Sequence, residues 1–375
     1  MTRRLLLFCE YTSLNGGERS LLSVLRPILQ HPFEVVVALP RQGDLVESLR
    51  QLDVPTIPFD FHASDGIRQR QPELRQQLWA LIADVQPDLV HANSLATSRL
   101  AGPVVQDLHC PSLGHLRDII GISRAALEDL ACHTRLAAVS QATKHWYVEA
   151  GLASNRISVL HNGVDLQRFR PRPSSGILHR QLDLPPTAEI VGAIGQIGVR
   201  KGLDVLLDAM VEVVAEDPAC HLAVIGKRHS AKAEAVEYER RLLRRAEEAP
   251  LRGHVHFLGE RMDVHDLLPE FCFLAHAARQ EPLGRVLLEG AAAGVAIVAT
   301  DVGGTTDIFP PGAGAAVLVK PADHEALAGA ISRLLSVPEE RIRLGQAARK
   351  RAEECFGSAD AAQRLLEIYE ELAVI

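Results

Sequence analysis

Gln280-Glu281-Pro282-Leu283-Gly284-Arg285-Val286-Leu287-Leu288-Glu289-Gly290 is the stretch whose reading decides the fold. It follows the apolar run Phe271-Cys272-Phe273-Leu274-Ala275, which reads as a buried strand, and leads into a helix expected over Val286 to Ala293. Pro282 suits a first helical position, where its missing N–H is not needed. Gly284 keeps the helix entrance free of a side chain. The backbone N–H groups of Leu283, Gly284 and Arg285 are therefore expected to point at an anion, with the helix dipole behind them. Glu281 stands before the helix and Glu289 inside it, roughly 12 Å further along at 1.5 Å per residue. That is close to the spacing between the sugar and the ribose of a nucleoside diphosphate sugar. One carboxylate would accept sugar hydroxyls and the other ribose hydroxyls, with the diphosphate on the N–H groups between them. The competing reading is an ordinary strand-to-helix turn with two surface glutamates.

At 375 residues the chain is long for one domain and comfortable for two. A 47% hydrophobic and 23% charged composition is that of a soluble globular protein, and a net charge of −7 gives a nucleic-acid partner no support. Six cysteines are scattered without a close pair, which argues for reduced thiols in a cytoplasmic protein and against a disulfide framework or zinc site. Leu5 to Cys9 after Arg3-Arg4 is too short for a signal peptide and reads as a first strand, and no window approaches the ~20 apolar residues of a membrane span.

Strands and helices alternate along the chain, which implies parallel, doubly wound α/β sheets. The first strand is followed by Gly16-Gly17 and a helix from Ser20 to Leu29, a phosphate-cradle order that paired glycines in a plain turn also produce. Further strands are expected at Phe33 to Leu39, Val54 to Phe59, Asp88 to His91, Ser112 to Leu116, Leu136 to Ser140 and from Ile157. Arg68, Arg70 and Arg75 within Ile67 to Gln77 read as a solvated helix face or as a basic surface touching acidic lipid. His115 and Arg117 stand at the carboxyl end of a strand, where ligand sites of such sheets lie. Pro171, Pro173, Pro185 and Pro186 mark a linker, with the domain boundary between about 166 and 186. The second half opens with Gly192-x-x-Gly195-x-x-Gly198, then Arg200-Lys201-Gly202 and an amphipathic helix from Leu203 to Val214. That glycine spacing is also the fingerprint of short-chain dehydrogenases, but none of the four tyrosines (11, 147, 238, 369) has the lysine that such enzymes need four residues on.

Taken whole, Glu281 to Gly304, with Gly294, Asp301 and Gly303-Gly304, resembles the donor-site signature of the retaining GT-B glycosyltransferases of the glycosyltransferase family 4 / group 1 type. The resemblance implies two Rossmann-like domains facing a cleft. Residues 1–170 would hold the acceptor, with the terminal helix 358–375 packed back on them, and residues 186–357 would hold the donor. Lys201 fits the family's lysine on the diphosphate, while the usual arginine position holds Gln196, with Arg200 beside the lysine. Cations there stabilise a leaving diphosphate. Where many members carry a histidine before an aspartate, Arg117 precedes Asp118 and His115 lies two residues earlier, so either takes the cleft role. Arg261 would lie near the nucleotide base. The implied reaction moves a sugar from a nucleoside diphosphate sugar to a sugar, lipid or small-molecule acceptor with retention. No cofactor and no metal are implied, since the chain has no Asp-x-Asp. The expected setting is the cytoplasm, with contact at the inner face of the membrane as an extension. A nucleotide-sugar epimerase and a non-catalytic nucleotide-sugar binding protein remain as alternatives.

Overall fold

The computed structural model describes residues 2–373, which form two compact units, one from residues 2–163 with 358–373 and one from 164–357. Val374 and Ile375 of the expected terminal helix lie outside the described residues.

The first unit is built on a seven-stranded parallel sheet: β1 (Arg3–Phe8), β2 (Phe33–Leu39), β3 (Thr56–Pro58), β4 (Leu89–Ala92), β5 (Ser112–Leu116), β6 (Arg135–Ala138) and β7 (Ile157–Val159). Their order in the sheet is β3-β2-β1-β4-β5-β6-β7, so the winding reverses between β1 and β4. Burial on both faces explains the unbroken apolar run of β1. Leu5 and Leu7 pack with Leu21, Leu25, Leu365 and Tyr369, whereas Leu6 and Phe8 pack with Leu74, Leu78, Leu100 and Val104. The helix Ser358–Leu372 thus belongs to this unit and lies on the helix Gly16–Ile28. The helix Leu95–Asp107, not anticipated above, starts at a Ser94 cap that accepts from the Thr97 N–H at 3.2 Å.

The three arginines near residue 70 do not form one basic helix face. The helix begins only at Gln71, and each arginine has an acidic partner: Arg68 pairs with the buried Glu10, Arg70 with Glu73, and Arg75 with Asp129 at 2.7 Å.

The second unit has a six-stranded parallel sheet: β8 (Glu189–Ile194), β9 (Cys220–Ile225), β10 (Val255–Phe257), β11 (Phe273–His276), β12 (Ala296–Thr300) and β13 (Val317–Val319). The order β10-β9-β8-β11-β12-β13 reverses the winding between β8 and β11. One core face is filled by the helices Leu203–Glu216 and His324–Ser336, through Leu206, Met210, Val213, Leu327, Ile331 and Leu334. Gly192, the first glycine of that spacing, has a packing cause. Gly192 sits inside β8 beneath Phe271, where a Cβ would stand 2.5 Å from the ring. The chain divides at Gly163/Val164, ahead of the proline-rich stretch, and Ser174 and Ser175 tie that stretch into the second unit through Glu270 (2.7–2.9 Å). Among the described residues no helix is long and apolar enough to cross a membrane.

Candidate active site

Strand order decides where the second unit can bind a ligand. The connections leaving β8 and β11 diverge, which opens a crevice beyond their carboxyl ends. The loop after β8 carries Gln196, Arg200 and Lys201, and the loop after β11 carries Gln280 and Glu281. Gly202 lets the two loops touch: its φ is +62°, and a Cβ there would run into the Ala277 carbonyl. The Arg279 N–H donates to the Arg200 carbonyl at 2.8 Å, and Arg200 Nη1 donates to the Gln280 carbonyl at 3.1 Å. Arg279 grips Asp204 with two bonds of 2.7 Å, and Tyr238 donates to the same carboxylate at 2.8 Å. On the far side the Gly304 N–H donates to the Glu281 carbonyl at 2.9 Å. Gly303, at φ +54°, leaves room for that carbonyl.

This scaffold brings Lys201 and Glu281 together as a buried ion pair. The same oxygen, Glu281 Oε2, accepts from His276 Nε2 at 2.9 Å, and Oε1 lies 3.8 Å from Arg200 Nη1. Glu281 is only 5% exposed, so desolvation raises its pKa, but Lys201, then His276 and Arg200, outweigh that and hold it well below the usual carboxylate range. Burial draws Lys201 below its ordinary pKa against the pull of Glu281, and burial likewise lowers His276. At neutral pH the cluster is therefore a carboxylate, an ammonium and a neutral imidazole. Since a carboxylate only accepts, the His276 proton is on Nε2. Lys201, His276 and Gln196 line one small cavity.

The helix after Glu281 spans Arg285–Ala292, with Gly284 as its N-cap at φ +95°. Pro282 is thus not a first helical residue, and Leu283 and Gly284 precede the first turn rather than supplying its N–H groups. Leu283 is buried instead. Arg285 and Val286 are the first-turn donors aimed out of the helix. Glu289 is inside the helix, as the spacing implied, and Arg285 Nη2 holds it at 2.6 Å, while Arg285 Nη1 is buried and has no partner among the described residues. Gln196 is exposed. Arg261 is claimed by Asp263 in its own loop through two bonds of 2.6 and 2.8 Å and by Gln181, from the helix Ile177–Gln181, at 3.0 Å, so its guanidinium is already committed.

The first unit has a polar cluster at its own reversal point. The helix Gly16–Ile28 begins at Gly16, and Gly17 lies against the Arg117 side chain, where a Cβ would be 3.2 Å from Cδ. Arg117 donates to the Asn93 carbonyl (2.7 Å), to Asn93 Oδ1 (2.8 Å) and to Asn162 Oδ1 (2.9 Å). It is thereby fixed beyond the ends of β4 and β5. His115 is not presented to solvent: it is buried, with Nδ1 3.2 Å from His91 Nε2, and His91 Nδ1 lies 2.6 Å from the Tyr369 hydroxyl. Burial lowers the pKa of both histidines, that of His91 to about 3, so both are neutral at physiological pH. Among the described residues His115 Nε2 has no partner, and with His91, Arg117, His161 and Asn162 the residue lines a small cavity.

Sequence reasoning missed His276, Asn93 and Asn162. Each follows a strand or ends one, a position at which a polar side chain faces the crevice. His276 as the last residue of an otherwise apolar strand was the available signal.

Comparison with known proteins gives concordant matches. The family described as "Glycosyl transferases group 1" matches residues 175–351, and "Glycosyltransferase Family 4" matches residues 14–168. Spore coat protein SA of Bacillus subtilis is 28% identical over 238 residues, 58% of this chain and 60% of that protein. The lipopolysaccharide core biosynthesis mannosyltransferase LpsB of Rhizobium meliloti is 27% identical over 218 residues, 57% of this chain and 61% of that protein. The chain thus spans about 60% of the length of these curated relatives. The crystal structure of Anabaena HepE in complex with UDP-glucose superposes with a TM-score of 0.86 at 21% identity, covering 98% of this chain and 100% of that one. That likeness shows the fold, which is GT-B.

Proposed function

The chain belongs to the glycosyltransferases of the group 1 / family 4 type, and on that premise we propose that it moves a sugar from a nucleoside diphosphate sugar to an acceptor hydroxyl with retention of anomeric configuration. The observation that carries the reading is the meeting of Lys201 and Glu281 beyond β8 and β11, ahead of the helix Arg285–Ala292. A ligand with a diphosphate and a hydroxylated sugar matches that pairing of a cation, a helix N-terminus and a carboxylate. The diphosphate gains charge as the glycosidic bond breaks, and Lys201 with the first-turn N–H groups stabilises that charge without a metal ion. Glu281 accepts sugar hydroxyls, and Glu289, steadied by Arg285, accepts ribose hydroxyls. The leaving diphosphate takes the acceptor proton on the face from which it departs, and no side-chain nucleophile is assigned. The acceptor is held by the first unit, around Arg117 and Asn93. The name of LpsB supports an acceptor in glycolipid or polysaccharide synthesis. Six unpaired cysteines support a cytoplasmic setting, with the membrane's inner face as the place of a lipid acceptor.

The test is a thermal-shift and calorimetric screen of nucleoside diphosphate sugars, with and without chelator. A ligand at 100 times its Kd stabilises by about 2.7 kcal/mol. Binding that survives chelation, followed by nucleotide release only when an acceptor is present, is expected. Turnover of donor alone to an epimer would replace the transferase reading, and binding lost on chelation would overturn the metal-free one.

A further inference from the structure

We infer that His276 is a positioning residue for a partner exchange at Glu281: the incoming diphosphate draws Lys201 off Glu281, and His276 keeps the carboxylate in place for the sugar. The inference rests on the donor-site reading above. A single oxygen, Glu281 Oε2, holds both Lys201 Nζ and His276 Nε2. Lys201 cannot give its full charge to a diphosphate while it neutralises Glu281, and while both donors hold Oε2 only Oε1, 3.8 Å from Arg200 Nη1, is left for a sugar hydroxyl. The pair must open, and opening a buried pair is strongly unfavourable when it leaves a charge without a partner.

His276 removes much of that penalty. It is buried as the last residue of β11, where its backbone is in register with Ala299 of β12. The imidazole is thus held by the sheet and not by the loop that carries Lys201. When Lys201 turns to the diphosphate, the Nε2–H bond stays and keeps Glu281 both ionised and oriented. Arg200 is a poor substitute, since it is 3.8 Å from the other oxygen and already donates to the Gln280 carbonyl.

The roles separate in a mutant cycle read by calorimetry with UDP and UDP-glucose at pH 7, on the full chain, with thermal melts to confirm folding. His276→Leu should weaken UDP about tenfold, the effect of one hydrogen bond to a buried charge, because Lys201 is then the only strong partner of Glu281. His276→Gln, whose amide N–H reaches the same oxygen, should restore most of that affinity. Glu281→Gln should bind UDP more tightly than the unmodified protein, since Lys201 is no longer engaged. His276→Leu combined with Glu281→Gln should lose the tenfold defect in UDP binding while still failing to discriminate UDP-glucose from UDP. If the unmodified protein binds neither ligand nor the guanosine and adenosine equivalents, the donor-site reading fails and this inference with it. If it binds them but His276→Leu leaves UDP affinity unchanged, or the double variant is as weak as His276→Leu alone, the partner exchange is wrong and the donor site stands.

Discussion

Replacing Lys201 with methionine tests the centre of the site, and the structure fixes how large the effect should be. The side chain keeps its length but loses its charge, which leaves Glu281 as a carboxylate only 5% exposed, with the His276 bond at 2.9 Å and Arg200 at 3.8 Å. Removing one partner of a buried pair costs ~3–5 kcal/mol, and the remaining His276 bond puts this case at the lower end, ~3 kcal/mol. Arg200→Met is the internal control. That side chain is 39% exposed and only grazes Glu281, so its loss should cost ~1 kcal/mol or less. Hydrogen exchange of the amides in β8 and β11 measures both variants in the unit that contains them. The effect should also depend on pH with a definite sign. Glu281 has a folded-state pKa depressed below its ordinary value of 4.5, so its contribution is complete above 4.5 and fades as pH falls toward the folded value. The gap between Lys201→Met and the unmodified protein should therefore narrow in acid. In a turnover assay at saturating donor, Lys201→Met should lose ~10²–10³, and Arg200→Met clearly less. An Arg200→Met defect equal to or larger than that of Lys201→Met, in stability or in rate, would refute the assignment and make Arg200 the cation of the loop.

Three further outcomes are expected. Glu289→Ala and Arg285→Ala should each weaken nucleotide binding about tenfold in calorimetry, the second because it frees the Glu289 rotamer held at 2.6 Å; equal affinity in all three proteins would make that pair a surface feature of the helix. Gly202→Ala places a Cβ against the Ala277 carbonyl at φ +62°, so it should lower stability by at least ~2 kcal/mol in chemical denaturation and impair donor binding, whereas a neutral substitution would mean that the two loops are not packed together. Tyr369→Phe leaves His91 Nδ1 buried without its 2.6 Å partner and should cost ~1–3 kcal/mol, read by hydrogen exchange in β4; an unchanged protection pattern would show that the hydroxyl is not what satisfies that nitrogen.

The alternation of apolar runs and amphipathic helices was enough to read two parallel doubly wound domains, because a strand buried on both faces must be apolar throughout and a crossover helix must be apolar on one side. Phe33–Leu39 and Ser112–Leu116 have the bounds their side chains suggest. The spacing of Glu281 and Glu289 and the basic pair Arg200-Lys201 were legible for the same local reason: a short stretch of chain carries them. What local sequence did not contain was the company each charge keeps. The helix start at Arg285 instead of Pro282 depends on Gly284 adopting φ +95° against Leu287, a backbone choice that composition leaves open. The retention of Arg261 by Asp263, the burial of His115 against His91 and Tyr369, and the capture of Glu281 by Lys201 and His276 follow from how loops pack and strands order. Lys201 and Glu281 are eighty residues apart and meet because β8 and β11 are neighbours at the point where the winding reverses. Strand order is a property of the whole sheet, set by which faces the crossover helices can cover, so no window of sequence around either residue contains it.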